Sequence, residues 1–454
     1  MTEKKIQKKL FGTNGVRGVI GKELTPELVF TIGESLGTMR KGCIAVGRDT
    51  RTSGETLVQA IKAGVLATGS DVIDCGVLPT PALQYLVKDT YDGGAMITAS
   101  HNPPEYNGVK IIEPDGTEMS DEETIKLEEI IFSHSACPRL WDQCGLEFIN
   151  PHLVENYIRG IVSQFPGKPG KGMTVIVDPG SGPACLTTPR ILTELGCKVI
   201  TINGIPDGTF PGRLPEPSVE GLRHLAELVV TCRADFGVAH DGDADRAVFI
   251  DNKGQFIEEN KEFALIAQHA CRTKKGVVVT PVSTGQIVEI VVKNEGCTID
   301  YTPVGSIYVA RKMRSLIEDG RPVTIGGEGN GGIIFPDHQF CRDGGMTCAM
   351  MVLILSQTEK NLSDLQVELP ERFIVKDKIP SENGTKILES LPLAFPQEII
   401  DRTDGIKIFR NNSWALIRAS GTEPIIRIII DADSRQAGKG FYREVLDKIA
   451  LVSK

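Results

Sequence analysis

Residues 241 to 246 read Asp-Gly-Asp-Ala-Asp-Arg, which places a carboxylate at every second position. Buried together without a cation, such a trio would repel itself into protonation or out to solvent. All-oxygen ligands of this kind suit a hard divalent ion such as Mg2+. The run follows Phe236-Gly-Val-Ala-His240, an apolar stretch that reads as a strand. Strand ends are where α/β proteins commonly place their chemistry. An EF-hand loop also opens with alternating Asp, but it needs Gly at its sixth position and Glu at its twelfth. Here those positions hold Arg246 and Asn252. A solvated acidic turn is the plainer alternative; the apolar run before the acids and the arginine after them favour a metal site.

Three further loops carry chemistry-bearing residues. Thr98-Ala-Ser-His-Asn-Pro-Pro-Glu-Tyr-Asn-Gly-Val-Lys110 contains two prolines and a glycine, so a fixed, non-helical loop is expected. Ser100 is its candidate nucleophile or phosphate carrier, with His101 and Lys110 close in sequence. A hydroxyl that only caps a turn is the competing reading. A hydrolase nucleophile elbow is excluded, because Asn102 stands where its second glycine is required. Gly326-Gly-Glu-Gly-Asn-Gly-Gly332 contains the dinucleotide spacing, but Ile-Ile-Phe-Pro follows instead of a helix, and the acid expected about twenty residues on is absent. Glu328 and Asn330 could instead grip sugar hydroxyls, the carboxylate accepting and the amide doing both. Near the C-terminus, Arg418-Ala-Ser-Gly-Thr-Glu-Pro-Ile-Ile-Arg427 sets two arginines around Ser420, Gly421 and Thr422. That composition suits a phosphate nest better than an ordinary hairpin.

The elements that would hold these loops alternate between strand and helix. Strands are expected at 43–46, 72–75 and 94–98, with helices at 53–68, 80–87 and 121–132. Thr52 and Glu55 are spaced as a capping box for the first of these helices. A second unit has strands at 174–177, 198–202 and 236–240, helices at 187–195 and 218–232, and a hairpin over 247–257 turning at Asn252-Lys253-Gly254. A third has helices at 261–272, 286–294 and 306–318 with strands at 276–280, 298–303 and 322–325. From about Glu371 short strands crowd together around one helix, and a final helix covers 437–452. The fold class expected is α/β: three consecutive α/β domains (1–150, 151–256 and 257–370) and a C-terminal α+β domain (371–454).

Bulk composition fits. A chain of 454 residues with 41% hydrophobic and 24% charged residues is ordinary for a globular protein of three or four domains. The net charge of -9 gives no general attraction to nucleic acid or anionic membranes. The eleven cysteines form no Cys-x-x-Cys pair, and an odd count fits a reducing compartment. The basic start has no apolar stretch behind it, and the longest apolar run, 346–355, is too short to span a bilayer. A cytoplasmic location is expected.

Taken in order, Thr98-Ala-Ser-His-Asn-Pro, Asp-Gly-Asp-Ala-Asp-Arg, the Gly-Glu-x-x-Gly loop and Arg-x-Ser-Gly-Thr-Glu-Pro resemble the alpha-D-phosphohexomutase family over the whole chain. Phe11-Gly-Thr-Asn-Gly-Val-Arg-Gly18 is similar to the start of its phosphoglucosamine mutase branch. The resemblance implies four domains around a central cleft. Ser100 would carry phosphate, and Asp241, Asp243 and Asp245 would hold one Mg2+ per subunit with a phosphoserine oxygen. Glu328, Asn330, Val304 and Gly305 would meet the sugar, and Arg418, Ser420, Gly421, Thr422 and Arg427 its phosphate.

A phosphoserine near -2 and three aspartates total about -5, of which Mg2+ restores two. Arg246, Lys110, His101 and Arg17 are the cations available for the rest, with Arg246 also placed among substrate contacts. Lys110 is the first general acid/base candidate, Arg17 the weaker one. The resemblance further implies a hexose or hexosamine 1,6-bisphosphate activator and a sugar-phosphate substrate, with at most a second copy of the chain as partner. Many members have Ser and His where this chain has Asn330 and Gly332; here the loop resembles archaeal-type members, which leaves the sugar preference open.

Overall fold

The computed structural model describes residues 8–12, 14–381, 383–419 and 424–453. The chain forms two compact units. The first joins residues 1–258 to a returning segment, 331–365; the second joins 259–330 to 366–454.

The first unit contains two sheets. One has six strands in the order Val16–Val19, Tyr106–Ile112, Gly93–Ile97, Cys43–Arg48, Asp71–Val77, Glu147–Ile149. Its centre is parallel, and Tyr106–Ile112 runs antiparallel to both of its neighbours. Arg17 lies directly across from Gly108. Residues two apart on a strand share a face, so Arg17 and Lys110 sit on the same side of the sheet. The other sheet runs Ala247–Asp251, Phe236–His240, Thr174–Asp178, Lys198–Thr201. All five residues of Phe236–His240 are buried, as a strand covered on both faces requires. The helix Gly344–Thr358, from the returning segment, packs on helices Val154–Val162 and Thr188–Glu194 and on strand Ala247–Asp251. It is capped by the Asp343 carboxylate, which accepts from Met346 N at 2.9 Å.

In the second unit a parallel array of Thr298–Thr302, Val277–Pro281 and Val323–Glu328 is joined to an antiparallel sheet. That sheet runs Phe373–Pro380, Ile425–Ala432, Ser413–Ala419, Ile406–Arg410, Ile399–Asp401. The helix Arg435–Val452 lays Phe441, Val445 and Ile449 on an isoleucine-rich core. The expected class, α/β units followed by an α+β unit, is what the chain forms.

Local expectations fail where side chains are used elsewhere. Helix Gly54–Ala67 has no capping box: its N-cap Ser53 makes no side-chain cap and instead accepts from Asn107 Nδ2, while Glu55 turns to Arg48. Residues 98–110 are not one loop. The loop ends near residue 105, and Lys110 stands on the strand Tyr106–Ile112. The hairpin of the second sheet turns at 241–246, between the paired residues His240 and Ala247. The hairpin expected over 247–257 also forms, as a short return arm: Ile250 bridges Phe256, Asp251 N donates to Gln255 O at 2.9 Å and Ile257 N to Phe249 O at 3.0 Å. Helix 218–232 shortens to Arg223–Thr231. The glycine-rich loop is also shorter than it reads, because Gly326, Gly327 and Glu328 complete a strand.

Lys407 is the least expected buried group of the second unit. Its ammonium donates to Val282 O at 2.7 Å and lies 4.1 Å from the centre of the Trp414 ring, with Tyr301 and Phe409 beside it. Burial lowers its pKa from 10.5 to about 8. Between those values the unfolded chain binds the proton and the folded one does not, so this group makes stability rise with pH from about 8 to 10.5. Lys407→Met should raise stability near pH 7, by at most about 3 kcal/mol, and flatten that rise. Denaturant midpoints measured from pH 7 to 10 check this; an unchanged pH slope would refute it.

Candidate active site

The acidic turn and the Ser100 loop meet in the first unit. Asp241, Asp243 and Asp245 are all buried, and one ligand oxygen from each lies within 4.8 Å of the others. Ser100 Oγ donates to Asp241 Oδ2 at 2.9 Å. Ser100 has φ +50°, a left-handed conformation uncommon outside glycine and costing about 1–2 kcal/mol. The approach of the two loops requires Gly242, since a Cβ there would lie 2.3 Å from the Ser100 carbonyl oxygen.

Cations surround the trio. Lys110 Nζ donates to Asp243 Oδ2 at 2.6 Å and reaches Asp245 Oδ2 at 3.5 Å. Arg246 Nε lies 3.9 Å from Asp241 and 3.8 Å from Asp245, and its Nη1 is 3.4 Å from Glu216. Arg17 donates to Asn102 Oδ1 at 3.0 Å, within the Ser100 loop. Two partners were not foreseen. Arg342, just before helix Gly344–Thr358, pairs with Asp245 at 2.5 Å. Thr80 clamps Asp243 twice, its hydroxyl donating to Oδ2 at 2.6 Å and its N–H to the carbonyl at 3.0 Å. Neither residue lies in a motif: Thr80 opens the helix Thr80–Val87, and Arg342 precedes the cap of the helix Gly344–Thr358.

The charges within the trio are unequal. Burial, then Asp245 and Asp243, push the Asp241 carboxyl well above the usual range. Burial would raise Asp243 as well, but Lys110 and Thr80 hold it below that range. For Lys110, burial opposes the ammonium, yet Asp243 and Asp245 carry its pKa above the ordinary value. Lys110 is therefore a fixed cation in the resting site. His101 corrects the charge count: burial first, then Arg246 and Arg17, push it down to about 3, so it is neutral at pH 7. Its Nδ1 accepts from Arg246 Nη2 at 3.1 Å and lies 3.4 Å from Ser100 Oγ. Arg342 supplies the cation that His101 does not.

The donor set fits a hard divalent ion. Asp243 Oδ1 and Asp245 Oδ1 are buried without a hydrogen-bond partner, a costly state unless a cation takes their lone pairs. Octahedral coordination at about 2.1 Å spaces ligand oxygens by about 3–4.2 Å, which suits a trio this compact.

The second unit holds the remaining candidates. Glu328 ends strand Val323–Glu328, and Asn330 N donates to its carbonyl at 2.8 Å. Arg418 and Arg427 lie directly across from each other on neighbouring strands, not in the turn. Asp404 accepts from Val304 N and from Arg418 Nη2, each at 2.8 Å, tying the Val304–Gly305 loop to the arginine pair. Ser420, Gly421 and Thr422 lie outside the described residues. Among the described residues no helix is long and apolar enough to cross a membrane.

Against known proteins, the chain matches "Phosphoglucomutase/phosphomannomutase, alpha/beta/alpha" domain I over residues 8–136, domain II over 155–254 and domain III over 258–373, and the C-terminal domain over 367–448. The chain belongs to the phosphoglucomutase/phosphomannomutase family and is a phosphohexomutase, an isomerase. It is 44% identical to the "Phosphoglucomutase/phosphomannomutase" of Thermococcus kodakarensis, covering 95% of this chain and 96% of that protein. It is 38% identical to the "Phosphoglucosamine/phosphogalactosamine mutase" of Sulfurisphaera tokodaii, covering 96% and 98%. A solved phosphoglucomutase/phosphomannomutase family protein of Burkholderia thailandensis superposes with a TM-score of 0.88 at 25% identity, covering 99% of this chain and 98% of that one.

Gly242→Ala tests the contact between the two loops. The new methyl group would move the acids away from Ser100, and displacements near 1 Å cost about 10²-fold in rate. Mutase kcat should fall by that order while the melting temperature changes little. A variant at the parental rate would show the contact to be soft.

Proposed function

We propose that the chain interconverts glucosamine 6-phosphate and glucosamine 1-phosphate through a phosphoserine at position 100 and a hexosamine 1,6-bisphosphate. The observation that carries this reading is the Ser100 hydroxyl held 2.9 Å from a buried aspartate trio that has two orphaned oxygens. Asp241, Asp243 and Asp245, with a phosphoserine oxygen, would hold one Mg2+ per subunit, which when bound neutralises charge on the transferring phosphoryl group.

The sugar hydroxyl attacks the phosphorus of phosphoserine. The phosphorus–Oγ bond breaks and a sugar oxygen–phosphorus bond forms; Lys110, a cation at rest, is the proposed carrier, giving its proton to the departing Ser100 oxygen and taking the sugar hydroxyl's in its place. The bisphosphate turns over and returns its other phosphoryl group to the same oxygen. Phosphoryl transfer depends on position and charge more than on covalent help. The phosphoserine, three aspartates and a divalent ion leave about -3; Lys110, Arg17, Arg246 and Arg342 face that excess. Arg418 and Arg427, with Ser420, Gly421 and Thr422, are assigned the phosphate that does not react, and Glu328, Asn330, Val304 and Gly305 the sugar. Binding energy from that remote phosphate can be used to orient the reacting end.

The names of the relatives divide on the sugar. The Sulfurisphaera protein's name supports an amino sugar, and the Thermococcus protein's name favours a second reading, glucose and mannose phosphates.

The test supplies purified protein with Mg2+, a trace of glucose 1,6-bisphosphate and each hexose 6-phosphate in turn, and quantifies 1-phosphates and free phosphate. Glucosamine 6-phosphate should turn over fastest, and chelation should stop the reaction. Equal rates on glucose would remove the amino-sugar assignment, and free phosphate as the only product would indicate a phosphatase. Ser100→Ala should lower turnover by at least about 10³-fold and abolish the phosphoryl adduct in the intact mass.

A further inference from the structure

The Ser100 loop is held from below by one fully buried arginine that lies in none of the family motifs read above. Arg51 follows the strand Cys43–Arg48, and its guanidinium uses all five of its N–H donors. Nε donates to Asp49 Oδ2 at 3.1 Å. Nη1 donates to the carbonyls of Pro103 at 2.6 Å and Tyr106 at 2.9 Å. Nη2 donates to the carbonyls of Ser100 at 2.8 Å and Asn102 at 2.6 Å. Three backbone carbonyls of the loop, and that of Tyr106 at the start of the next strand, therefore converge on one planar cation. The side chain is wholly shielded from solvent.

A second path reaches Ser100 from the same pair. Asp49 Oδ2 accepts from Thr98 Oγ1 at 2.6 Å, and Thr98 Oγ1 accepts from Ser100 N at 2.9 Å. Ser100 is thus gripped at its N–H and its carbonyl, on either side of a left-handed φ that it would not readily adopt unaided. The second sheet's loop closes the arrangement. The Phe210 ring lies 5.3 Å from the guanidinium, and a Cβ at Gly208 would be 2.2 Å from the Thr50 carbonyl oxygen.

We infer that Arg51, oriented by Asp49, is a positioning residue for phosphoryl transfer: it fixes the backbone of residues 100–106 so that the Ser100 oxygen returns to one place beside the aspartate trio in both half-reactions. The inference rests on the reading of Ser100 as the phosphoryl carrier. The arginine touches neither substrate nor phosphate. A planar five-donor fork is what the four carbonyls need, and a lysine ammonium, with three donors at one point, cannot match it.

Arg51→Lys and Thr98→Val test this in the full-length protein. The readouts are kcat and KM on the sugar phosphate the parent turns over best, and the rate at which glucose 1,6-bisphosphate phosphorylates Ser100, followed by intact mass. Arg51→Lys should lower kcat and the phosphorylation rate by about 10²-fold with KM within threefold of the parent. Thr98→Val, which leaves the buried ion pair whole, should lower both rates about tenfold. Should Arg51→Lys fail to fold, Thr98→Val decides alone: a loss confined to kcat supports the inference, and a parental kcat overturns it. A kcat loss matched by an equal rise in KM also overturns it. Ser100→Ala with full turnover would remove the phosphoserine reading instead, whereas an inert Ser100→Ala beside a fully active Arg51→Lys removes only this inference.

Discussion

The first unit is organised by the repulsion among three aspartates that the fold refuses to separate. Asp241, Asp243 and Asp245 are buried side by side, and every strong feature around them answers that cost. Lys110 and Thr80 take Asp243, Arg342 takes Asp245, and the Ser100 hydroxyl donates to Asp241. What is left over, two oxygens with lone pairs and no donor, could be taken up by a cation. A turn built only for solubility would have turned these acids outward.

Much of this was legible because the acids and the serine lie just beyond the ends of apolar strands, where period and punctuation are plain; Lys110, inside the strand Tyr106–Ile112, was found through its nearness to Ser100 in sequence. The residues that were missed come from elsewhere in the chain. Thr80 opens a short helix, and Arg342 enters from nearly a hundred residues beyond Asp245; proximity of that kind leaves no local trace. Arg51 did leave one. Asp49-Thr-Arg51 follows an apolar strand just as Asp241 does, so the same signal was present without a motif to draw attention to it. The helix Gly344–Thr358 went unread because apolar residues cover every face of it, and a helix buried all round shows no 3.6-residue period. The failed capping box shows the opposite error: good local spacing, overridden when Asn107 claimed the Ser53 hydroxyl.

Electrostatics changed roles more than positions. His101 sits beside Ser100 as its sequence neighbourhood suggested, but burial and two arginines leave it neutral. Lys110 is held in the charged form by the acids it faces. Lys110 is thus a fixed cation, while Asp241, its carboxyl pushed well above the usual range by burial and its two neighbouring acids, is less readily ionised than Asp243.

The first unit is not contiguous in the chain. Arg342, Asp343 and the helix Gly344–Thr358 belong to it, yet they follow the first part of the second unit in sequence. Asp343 accepts from the buried Tyr157 hydroxyl at 2.6 Å, binding the late segment to the early one. A ribosome making this protein therefore releases Ser100 and the acidic turn long before the arginine and the helix that complete their surroundings. Until about residue 365 has cleared the exit tunnel, the first unit lacks the segment 331–365, so the order of synthesis delays its completion.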